Sequence, residues 1–307
     1  KLTPKTSAAI LIPYGRDQMR TLHARLPKNF VLEERLERYA NAIEVEPSRY
    51  VGHWAEACFP LRREDGEIKG EGATPCRYRE VRLDLGCGKG DFTAEMARRE
   101  PDVLFVGVDF EPICIAYAAE RAVRAQLKNM VLVSATGENV GSIFGPGELA
   151  AIYLNFPTPF PKKKEATRRL THLIRLMEYQ PLLAPGATVL LKTDSYPLWR
   201  FSETQFRLAD YTVTWQSMDA RAERPDDAMS QYEERLTAKG AKVLAIEATP
   251  GPESVYREQT VCREQTAPLS LVDWLPDDLD AMDYVPYGME GTVTNLRNRR
   301  RKQRRKR

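Results

Sequence analysis

The chain has 307 residues, of which 42% are hydrophobic, and it carries a formal net charge of +3. That length suits one large α/β domain with extensions, or two domains. Because no apolar run approaches the roughly 20 residues needed to cross a bilayer, we expect no membrane partner. The five scattered cysteines form no Cys-x-x-Cys pair. We therefore predict a cytoplasmic protein without a metal site or a disulfide framework.

The positive charge is concentrated at the two ends of the chain. Residues 297–307 carry nine cations and no acid, and residues 1–28 carry six cations against one acid. Basic tails of this kind are usually disordered and bind polyanions, mostly through counterion release. We expect a nucleic-acid partner; a solubility tail or a segment that only looks like a nuclear-localisation signal is the alternative.

The first 75 residues are predicted to be an extension of the main domain. A helix is expected over 33–43, followed by a short segment around Trp54 and a polar, glycine-rich linker over 62–74. Strand-like and helix-like patterns alternate after that. Strands are predicted at 81–85, 103–108, 130–134, 150–154, 187–192, 211–216 and 242–248, and helices at 91–100, 112–127, 165–183, 198–208 and 230–239.

This alternation predicts an α/β domain over 76–250. Strands joined by helical crossovers favour an open, mostly parallel, seven-stranded sheet with helices on both faces. Ligands of such sheets bind beyond the carboxyl ends of the strands. From 251 to 307, prolines punctuate acidic and aromatic stretches, so we expect a poorly packed extension that ends in the basic tail.

A glycine-rich turn follows the first predicted strand and opens a helix. Gly86, Gly88 and Gly90 allow tight turning and close approach to a ligand, but their spacing differs from the dehydrogenase pattern. Asp109 ends the next strand, where it can accept both hydroxyls of an adenosine ribose. Asp84, just before the turn, is placed to meet an ammonium group. The set indicates S-adenosylmethionine rather than NAD; a generic turn without a cofactor is the alternative.

A stiff loop over 155–164 follows the strand at 150–154. Three prolines leave it few conformations, and it carries Asn155, Thr158, two phenylalanines and lysines. A rigid loop of this composition suits a flat, electron-rich ligand joined to phosphate. The alternative is a proline-rich turn before a basic, solvated helix.

Five motifs, in this order, resemble those of the bacterial tRNA (guanine-N7)-methyltransferases. They are the turn at 84–90, Gly107-Val108-Asp109, the loop at 155–164 with Arg168-Arg169-Leu170, Lys192-Thr193-Asp194, and Ser230-Gln231-Tyr232-Glu233. The resemblance covers about residues 76–250. It implies a Rossmann-like class I methyltransferase fold and methyl transfer from S-adenosylmethionine to guanine 46 in the variable loop of tRNA.

The resemblance also implies roles for individual residues. The expected cofactor-binding residues are Asp84, Gly86, Gly88, Gly90, Asp109, Thr136, Gly137 and Asn155. The expected substrate-binding residues are Lys162, Asp194, Ser230, Tyr232 and Glu233, with Thr158 and Asp194 as the catalytic pair. Lys163, Lys164, Arg168 and Arg169 are expected to contact the RNA backbone, whereas His172 is expected to have a structural or surface role. Two family acids are replaced, one by Thr136 and one by Thr158.

The chemistry tolerates the threonine in the loop. Guanine N7 attacks with a lone pair and loses no proton, so positioning matters more than a strong general base. Asp194 and Glu233 are expected to accept from guanine N1–H and N2–H₂ and to favour the cationic product. Tyr232, Phe156 or Phe160 is expected to stack on a flipped base, with core packing as the alternative.

Three other functions remain open from the sequence. The first is a catalytically weakened tRNA-binding protein on a methyltransferase scaffold, suggested by Thr136 and Thr158. The second is an amino-methyltransferase with an Asn-Pro-Pro-Phe loop, which matches poorly here because Phe156 separates Asn155 from Pro157. The third, an NAD-dependent enzyme, is disfavoured by the glycine spacing. For any of them we expect a monomer or a homodimer.

Overall fold

The computed structural model describes residues 29–57, 63–64, 67–68, 77–251 and 267–304. The predictions for the N-terminal cations at 1–28, for most of the linker at 62–74 and for the chain end at 305–307 lie outside these residues.

Ten strands and nine α-helices occur in the described residues. The strands are β1 (Ile43–Glu44), β2 (Arg63–Glu64), β3 (Glu67–Ile68), β4 (Glu80–Leu85), β5 (Val103–Asp109), β6 (Met130–Ser134), β7 (Leu149–Asn155), β8 (Leu183–Thr193), β9 (Tyr211–Ser217) and β10 (Leu244–Pro250). The helices are α1 (Leu32–Arg38), α2 (Trp54–Ala57), α3 (Asp91–Arg99), α4 (Pro112–Arg124), α5 (Leu173–Tyr179), α6 (Tyr196–Leu208), α7 (Ala220–Glu223), α8 (Gln231–Thr237) and α9 (Glu290–Arg304).

Eight of the strands form one sheet in the order β1-β6-β5-β4-β7-β8-β10-β9. The strands from β1 to β8 in this order pair parallel, and β10 pairs antiparallel with both of its neighbours. The predicted α/β fold with a mostly parallel sheet is therefore confirmed. The count of seven strands was wrong, because the two-residue strand β1 adds an edge next to β6.

Both faces of the sheet are buried, as expected where helices cover parallel strands. Successive residues of β5 alternate between two apolar clusters, with Leu104, Val106 and Val108 in one and Val103 and Phe105 in the other. Helix α5 and part of α6 contribute to the first cluster, and α3 and α4 contribute to the second. The strand ends that carry the site are thus held between two packed layers.

The region that precedes the predicted domain boundary is built into this core. Trp54 is fully buried and its Nε1–H donates to the carbonyl of Ile143 at 2.8 Å. The Glu148 carboxylate accepts from the backbone N–H of Gly52 at 2.9 Å and of Trp54 at 2.8 Å. The predicted helix over 33–43 ends early, at Arg38, because the chain turns to place β1 on the sheet edge.

The predicted long helix over 165–183 is broken. A 3₁₀ helix (Lys163–Arg168) is followed by a non-helical link, helix α5 and a second 3₁₀ turn (Gln180–Leu182). The link contains Arg169 and His172, whose ψ angles are 133° and 144°. The backbone leaves the helical conformation there because the Arg169 side chain turns inward, as described below.

The described part of the C-terminal region, residues 267–304 (the C-terminal segment), is well packed, contrary to the prediction. Leu271, Met289 and Val293 are buried against Leu198 and Phe201 of α6. Most of the basic tail belongs to helix α9, which continues to Arg304.

Candidate active site

Four neighbouring strands, β5, β4, β7 and β8, end at one edge of the sheet with polar residues. Asp84 lies in register with Gly107 on β5 and with Tyr153 on β7. Asn155 lies in register with Lys192, two residues before Asp194. Residues predicted from separate motifs therefore meet where a parallel sheet binds its ligands.

The glycine turn has the left-handed conformation that its residues allow. Gly86, Gly88 and Gly90 have φ angles of +79°, +55° and +72°. A Cβ on Gly90 would lie 2.7 Å from the Cβ of Ala118, so no side chain fits between the turn and α4. The turn is a fixed backbone surface next to the strand ends.

Asp109 is held by backbone donors. Its Oδ2 accepts from Gly88 N–H at 2.9 Å, and its Oδ1 accepts from Glu111 N–H at 2.8 Å. Burial raises the pKa of Asp109, and these backbone hydrogen bonds oppose the rise. A third backbone hydrogen bond, from Phe110, also lowers the pKa, so about one of the four acceptor positions of the carboxylate stays open. The predicted contact with ribose hydroxyls stays a prediction.

Asp84 lies deeper than predicted, with 1% of its surface exposed. Its Oδ2 accepts from the Thr93 hydroxyl at 2.5 Å, and its Oδ1 is 3.4 Å from the Asn155 amide nitrogen. Burial raises the pKa of Asp84 to about 6, although both hydrogen bonds lower it. The nearby negative charge of Asp109 raises it further. Of the two contacts, the one from Asn155 is the longer and therefore the weaker.

Thr136 and Gly137 lie where the resemblance places an acid and an alanine. The Thr136 hydroxyl is 2.7 Å from Asn139 Oδ1 and caps the 3₁₀ helix Gly137–Ser142. A Cβ on Gly137 would lie 2.7 Å from Leu170 Cδ2, and one on Gly86 would lie 3.8 Å from Leu170 Cδ1. Leu170, which sequence reasoning left without a role, is thus an apolar wall between the glycine turn and Thr136.

The loop over 155–164 (the proline loop) contains two residues with unusual backbone angles. Phe156 has φ +49° and Phe160 has φ +44°, a region that costs a side-chain-bearing residue about 1–3 kcal/mol. Phe156 N–H donates to Lys192 O at 2.7 Å, which joins the loop to β8. The surrounding structure therefore has to hold the loop in place.

Arg169 holds the loop and is not an RNA contact, so that prediction was wrong. The side chain is 1% exposed, and its guanidinium donates to Pro159 O at 3.0 Å, to Phe160 O at 2.7 Å and to Leu269 O at 2.8 Å. Burial lowers the pKa of Arg169 to about 10. Enclosed by these partners, the guanidinium does not reach an RNA phosphate.

The four other predicted cations of this region are exposed, namely Lys162, Lys163, Lys164 and Arg168. The guanidinium carbon of Arg168 lies 4.2 Å from the centre of the Phe160 ring. This contact orients the side chain along the outer surface of the loop. Thr158 is also exposed, at the tip of the loop.

The Ser230–Glu233 motif forms the start of helix α8. Ser230 Oγ accepts from Glu233 N–H at 3.1 Å, which is an N-cap. Glu233 is 2% exposed and forms an ion pair with Arg221, an arrangement that does not favour the predicted contact with guanine. Tyr232 is 37% exposed, with its ring centre 5.2 Å from that of Phe156. Of this motif, Gln231 and Tyr232 are exposed, and Tyr232 is the aromatic residue among them.

A second arginine organises the segment before α8, which sequence reasoning missed. Arg221 donates to Pro225 O at 3.0 Å and to Asp227 O at 2.8 Å. The Asp227 carboxylate then binds the ammonium of Lys192 at 2.8 Å, and Lys192 is 2% exposed. The position of Lys192 in an otherwise apolar strand was the available signal for such a buried pair.

Asp194 is half-buried at the end of β8, beside the proline loop. Its Oδ2 accepts from the Tyr284 hydroxyl at 2.5 Å. Burial raises the pKa of Asp194, while the hydrogen bonds from Tyr284 and from the backbone of Tyr287 lower it. Tyr284 was missed because it belongs to the C-terminal segment, which was predicted to be poorly packed.

His172 is a structural residue, in agreement with the expectation. It is 4% exposed, and its Nδ1 accepts from Ile174 N–H at 3.3 Å at the start of α5. Burial, with the charges of Arg169 and Arg175, lowers its pKa to about 4. Within the described ranges, no group of three His, Cys, Asp or Glu side chains could hold a metal ion, and no helix is long and apolar enough to cross a membrane.

Comparisons with known proteins identify relatives of this chain. A family model described as "Putative methyltransferase" matches residues 78–246. A tRNA (guanine-N(7)-)-methyltransferase of Geobacillus thermodenitrificans (strain NG80-2) is 33% identical over 176 residues, which cover 57% of this chain and 82% of that protein. One of Levilactobacillus brevis (strain ATCC 367) is 34% identical over 205 residues, which cover 66% and 87%. The crystal structure of the 16S rRNA methyltransferase KamB aligns at 18% identity with a TM-score of 0.45, covering 57% of this chain and 89% of that one.

Proposed function

Because this chain belongs to the family of tRNA (guanine-N7)-methyltransferases, we propose that it methylates N7 of a guanine in tRNA with S-adenosylmethionine as the methyl donor. One observation carries the proposal. The cofactor acids Asp84 and Asp109 lie at the same sheet edge as the proline loop and Asp194. We take guanine 46 of the variable loop as the target, as the resemblance implies.

The residues at and beside the carboxyl ends of β4, β5 and β7 suit the cofactor. Asp109 presents its remaining acceptor capacity to the ribose hydroxyls, and the glycine turn allows close approach of the rest of the molecule. Leu170 offers an apolar surface to the adenine. Asp84 attracts the ammonium, which takes the place of the long Asn155 contact of 3.4 Å. When bound, S-adenosylmethionine supplies a methyl group on a positively charged sulfur.

The residues at and beside the carboxyl end of β8 suit a guanine base. Asp194 accepts from N1–H and N2–H₂, which turns N7 toward the cofactor. The exposed Tyr232 ring, beside Phe156, provides a stacking surface for a base taken out of the RNA stack. Since N7 attacks with a lone pair, the protein needs no residue to remove a proton, and the rate depends on alignment.

Thr158 occupies the place of a family acid without abolishing the chemistry. The Asp194 charge remains next to the base and stabilises the positive charge that develops on the ring. With the acids Asp84, Asp109 and Asp194 all in place, the alternative of a tRNA-binding protein without catalysis is not favoured. The Thr158 hydroxyl at the loop tip can donate one hydrogen bond to the substrate.

The RNA backbone lies along the cations outside the pocket. Lys162, Lys163, Lys164 and Arg168 contact phosphates beside the base. Exposed cations of α9, such as Arg299 and Lys302, extend this surface on the C-terminal segment. We also propose that the protein works in the cytoplasm as a monomer or a homodimer.

The test is to incubate the protein with unmodified tRNA and S-adenosylmethionine carrying a labelled methyl group, and then to map the label by mass spectrometry. We expect 7-methylguanine at position 46. A tRNA with adenine at that position is the matched control and should remain unlabelled. No methyl transfer, or transfer to another atom, would refute the proposal.

A further inference from the structure

We propose that Tyr284 is a positioning residue for guanine recognition, and that the C-terminal segment, which lies beyond the family match at 78–246, forms a wall of the substrate site. The inference rests on the proposed function. A residue outside the region shared with the family thus determines how Asp194 is oriented toward the base.

The C-terminal segment is attached directly to the proline loop. Leu271 N–H donates to Pro161 O at 3.0 Å, and Leu269 O accepts from Arg169 at 2.8 Å. At Gly288, where φ is +81°, a Cβ would lie 3.1 Å from the ring of Pro159. These contacts, which run from Leu269 to Gly288, hold the C-terminal segment against the proline loop.

Tyr284 and Asp194 are fixed on a common frame. Asp194 immediately precedes the N-cap residue Ser195 of α6, and the C-terminal segment packs on the same helix through Leu198 and Phe201. The Tyr284 side chain packs, as Phe156 does, against a buried apolar cluster that includes Leu236 and Val243, so its hydroxyl donates to Asp194 from a packed side chain. A hydrogen bond of 2.5 Å between two such anchored groups sets the plane of the carboxylate.

The carboxylate keeps acceptor capacity for the base. An ionised carboxylate offers about four lone-pair positions, of which the Tyr284 hydroxyl, the backbone of Tyr287 and the backbone of Asp194 itself use three. The acceptor capacity that remains is available to the N–H donors of guanine. Tyr284 thus orients Asp194 without blocking it.

Tyr284 also favours the ionised form that the base requires. The titratable groups around Asp194 are Tyr232, Tyr284, Tyr287 and Glu290. None of these four is a cation, so hydrogen-bond donors stabilise the negative charge. Loss of the Tyr284 hydroxyl removes one of them and raises the pKa of Asp194. The ionised fraction at a given acidic pH then falls, and the acidic limb of the activity profile moves to higher pH.

Tyr284→Phe is the test, because it removes the hydroxyl and keeps the packed ring. We expect kcat for methyl transfer to tRNA to fall about tenfold, as for loss of a hydrogen bond to a charged group. KM for tRNA should change less than about twofold, since phosphate contacts dominate affinity. Tyr196→Phe is the matched control. It removes a phenol hydroxyl from a 44% exposed ring two residues after Asp194, and it should match the unaltered protein.

A double-mutant cycle separates positioning from folding. In an Asp194→Asn background, Tyr284→Phe should have no further effect on kcat, because the group it orients is gone. If Tyr284→Phe leaves both kcat and the pH profile unchanged in an active enzyme, the inference is wrong and the proposed function stands. A lowered melting temperature with an unshifted pH profile would also overturn it, in favour of a merely structural tyrosine. An unaltered protein that transfers no methyl group would overturn the proposed function and this inference together.

Discussion

The proposed cofactor side of the site (residues 84–90, 109, 136–137 and 155) and the proposed guanine side (residues 156–164, 194, 230–233 and the C-terminal segment) are built in different ways. On the cofactor side, Asp109 is held by the backbone of Gly88 and Glu111 in its own βαβ unit, and Asp84 accepts its short hydrogen bond from Thr93, nine residues along the chain. On the guanine side, long side chains reach across the chain, as Arg169 does to Leu269, 100 residues away. Most contacts of the cofactor side join residues close in sequence, so they can be predicted from short motifs. The contacts of the guanine side form only when distant segments have assembled.

The largest effect should come from the residue that holds the guanine side together. Arg169→Ala leaves the carbonyls of Pro159, Phe160 and Leu269 without their donor, and a buried unsatisfied group costs about 1–3 kcal/mol. We expect the free energy of unfolding to fall by about 3 kcal/mol or more, measured by urea denaturation. Arg168→Ala, one residue earlier and exposed, should change it by less than about 0.5 kcal/mol. Equal effects of the two substitutions on the free energy of unfolding would contradict the role of Arg169 in holding the guanine side together.

The next effect concerns the cofactor side. Asp109→Ala should weaken binding of S-adenosylmethionine by a factor on the order of ten or more, since a charge-assisted hydrogen bond is removed. Isothermal titration calorimetry measures it. Asp102→Ala, at the other end of β5 and on the surface, is the matched control and should bind normally. Unchanged affinity in Asp109→Ala would refute the ribose assignment.

The pH dependence of cofactor binding tests Asp84. Burial raises its pKa to about 6 in the free protein, and only the ionised form attracts an ammonium. Affinity should therefore be full well above pH 6 and should fall as the pH drops through about 6. Asp84→Asn should bind weakly at every pH, with a flatter profile. An identical fall in that variant would assign the titration to another group.

The smallest effect is expected from the outer cations of the C-terminal segment. Arg299→Gln combined with Lys302→Gln should reduce the slope of log affinity for tRNA against log salt by up to about two, one unit for each phosphate that is no longer neutralised. Arg207→Gln, an exposed cation at the far end of α6, should leave the slope unchanged. A slope that the double variant does not alter would place α9 away from the RNA.

The difference between the two sides also explains which features could be predicted from the sequence. Apolar runs of five to seven residues predicted strands such as β5 and β6 almost to the residue, because local burial on both faces determines them. The glycine turn and Asp109 were predicted for the same reason, since their chemistry is contained in one βαβ unit. The edge strand β1 was missed because two residues give no periodic pattern.

The unpredicted contacts lie where a side chain has a distant partner. Two adjacent arginines, Arg168 and Arg169, look alike in sequence, yet one is exposed and the other is buried. Glu233 was assigned to the base because its ion pair with Arg221 depends on how α7 and α8 pack. Tyr284 had no local signal at all, because its partner lies 90 residues away. No pattern within a short window carries this information.

The positive φ angles of Phe156 and Phe160 determine when the shape of the proline loop is established. The cost of about 1–3 kcal/mol for each is met during folding, by Arg169 and the surrounding core. Under the proposed function, a guanine that leaves its RNA helix therefore meets a loop that already has its final form. Its binding entropy is not reduced further by the ordering of a mobile loop, and discrimination among bases becomes a matter of fit to a rigid template.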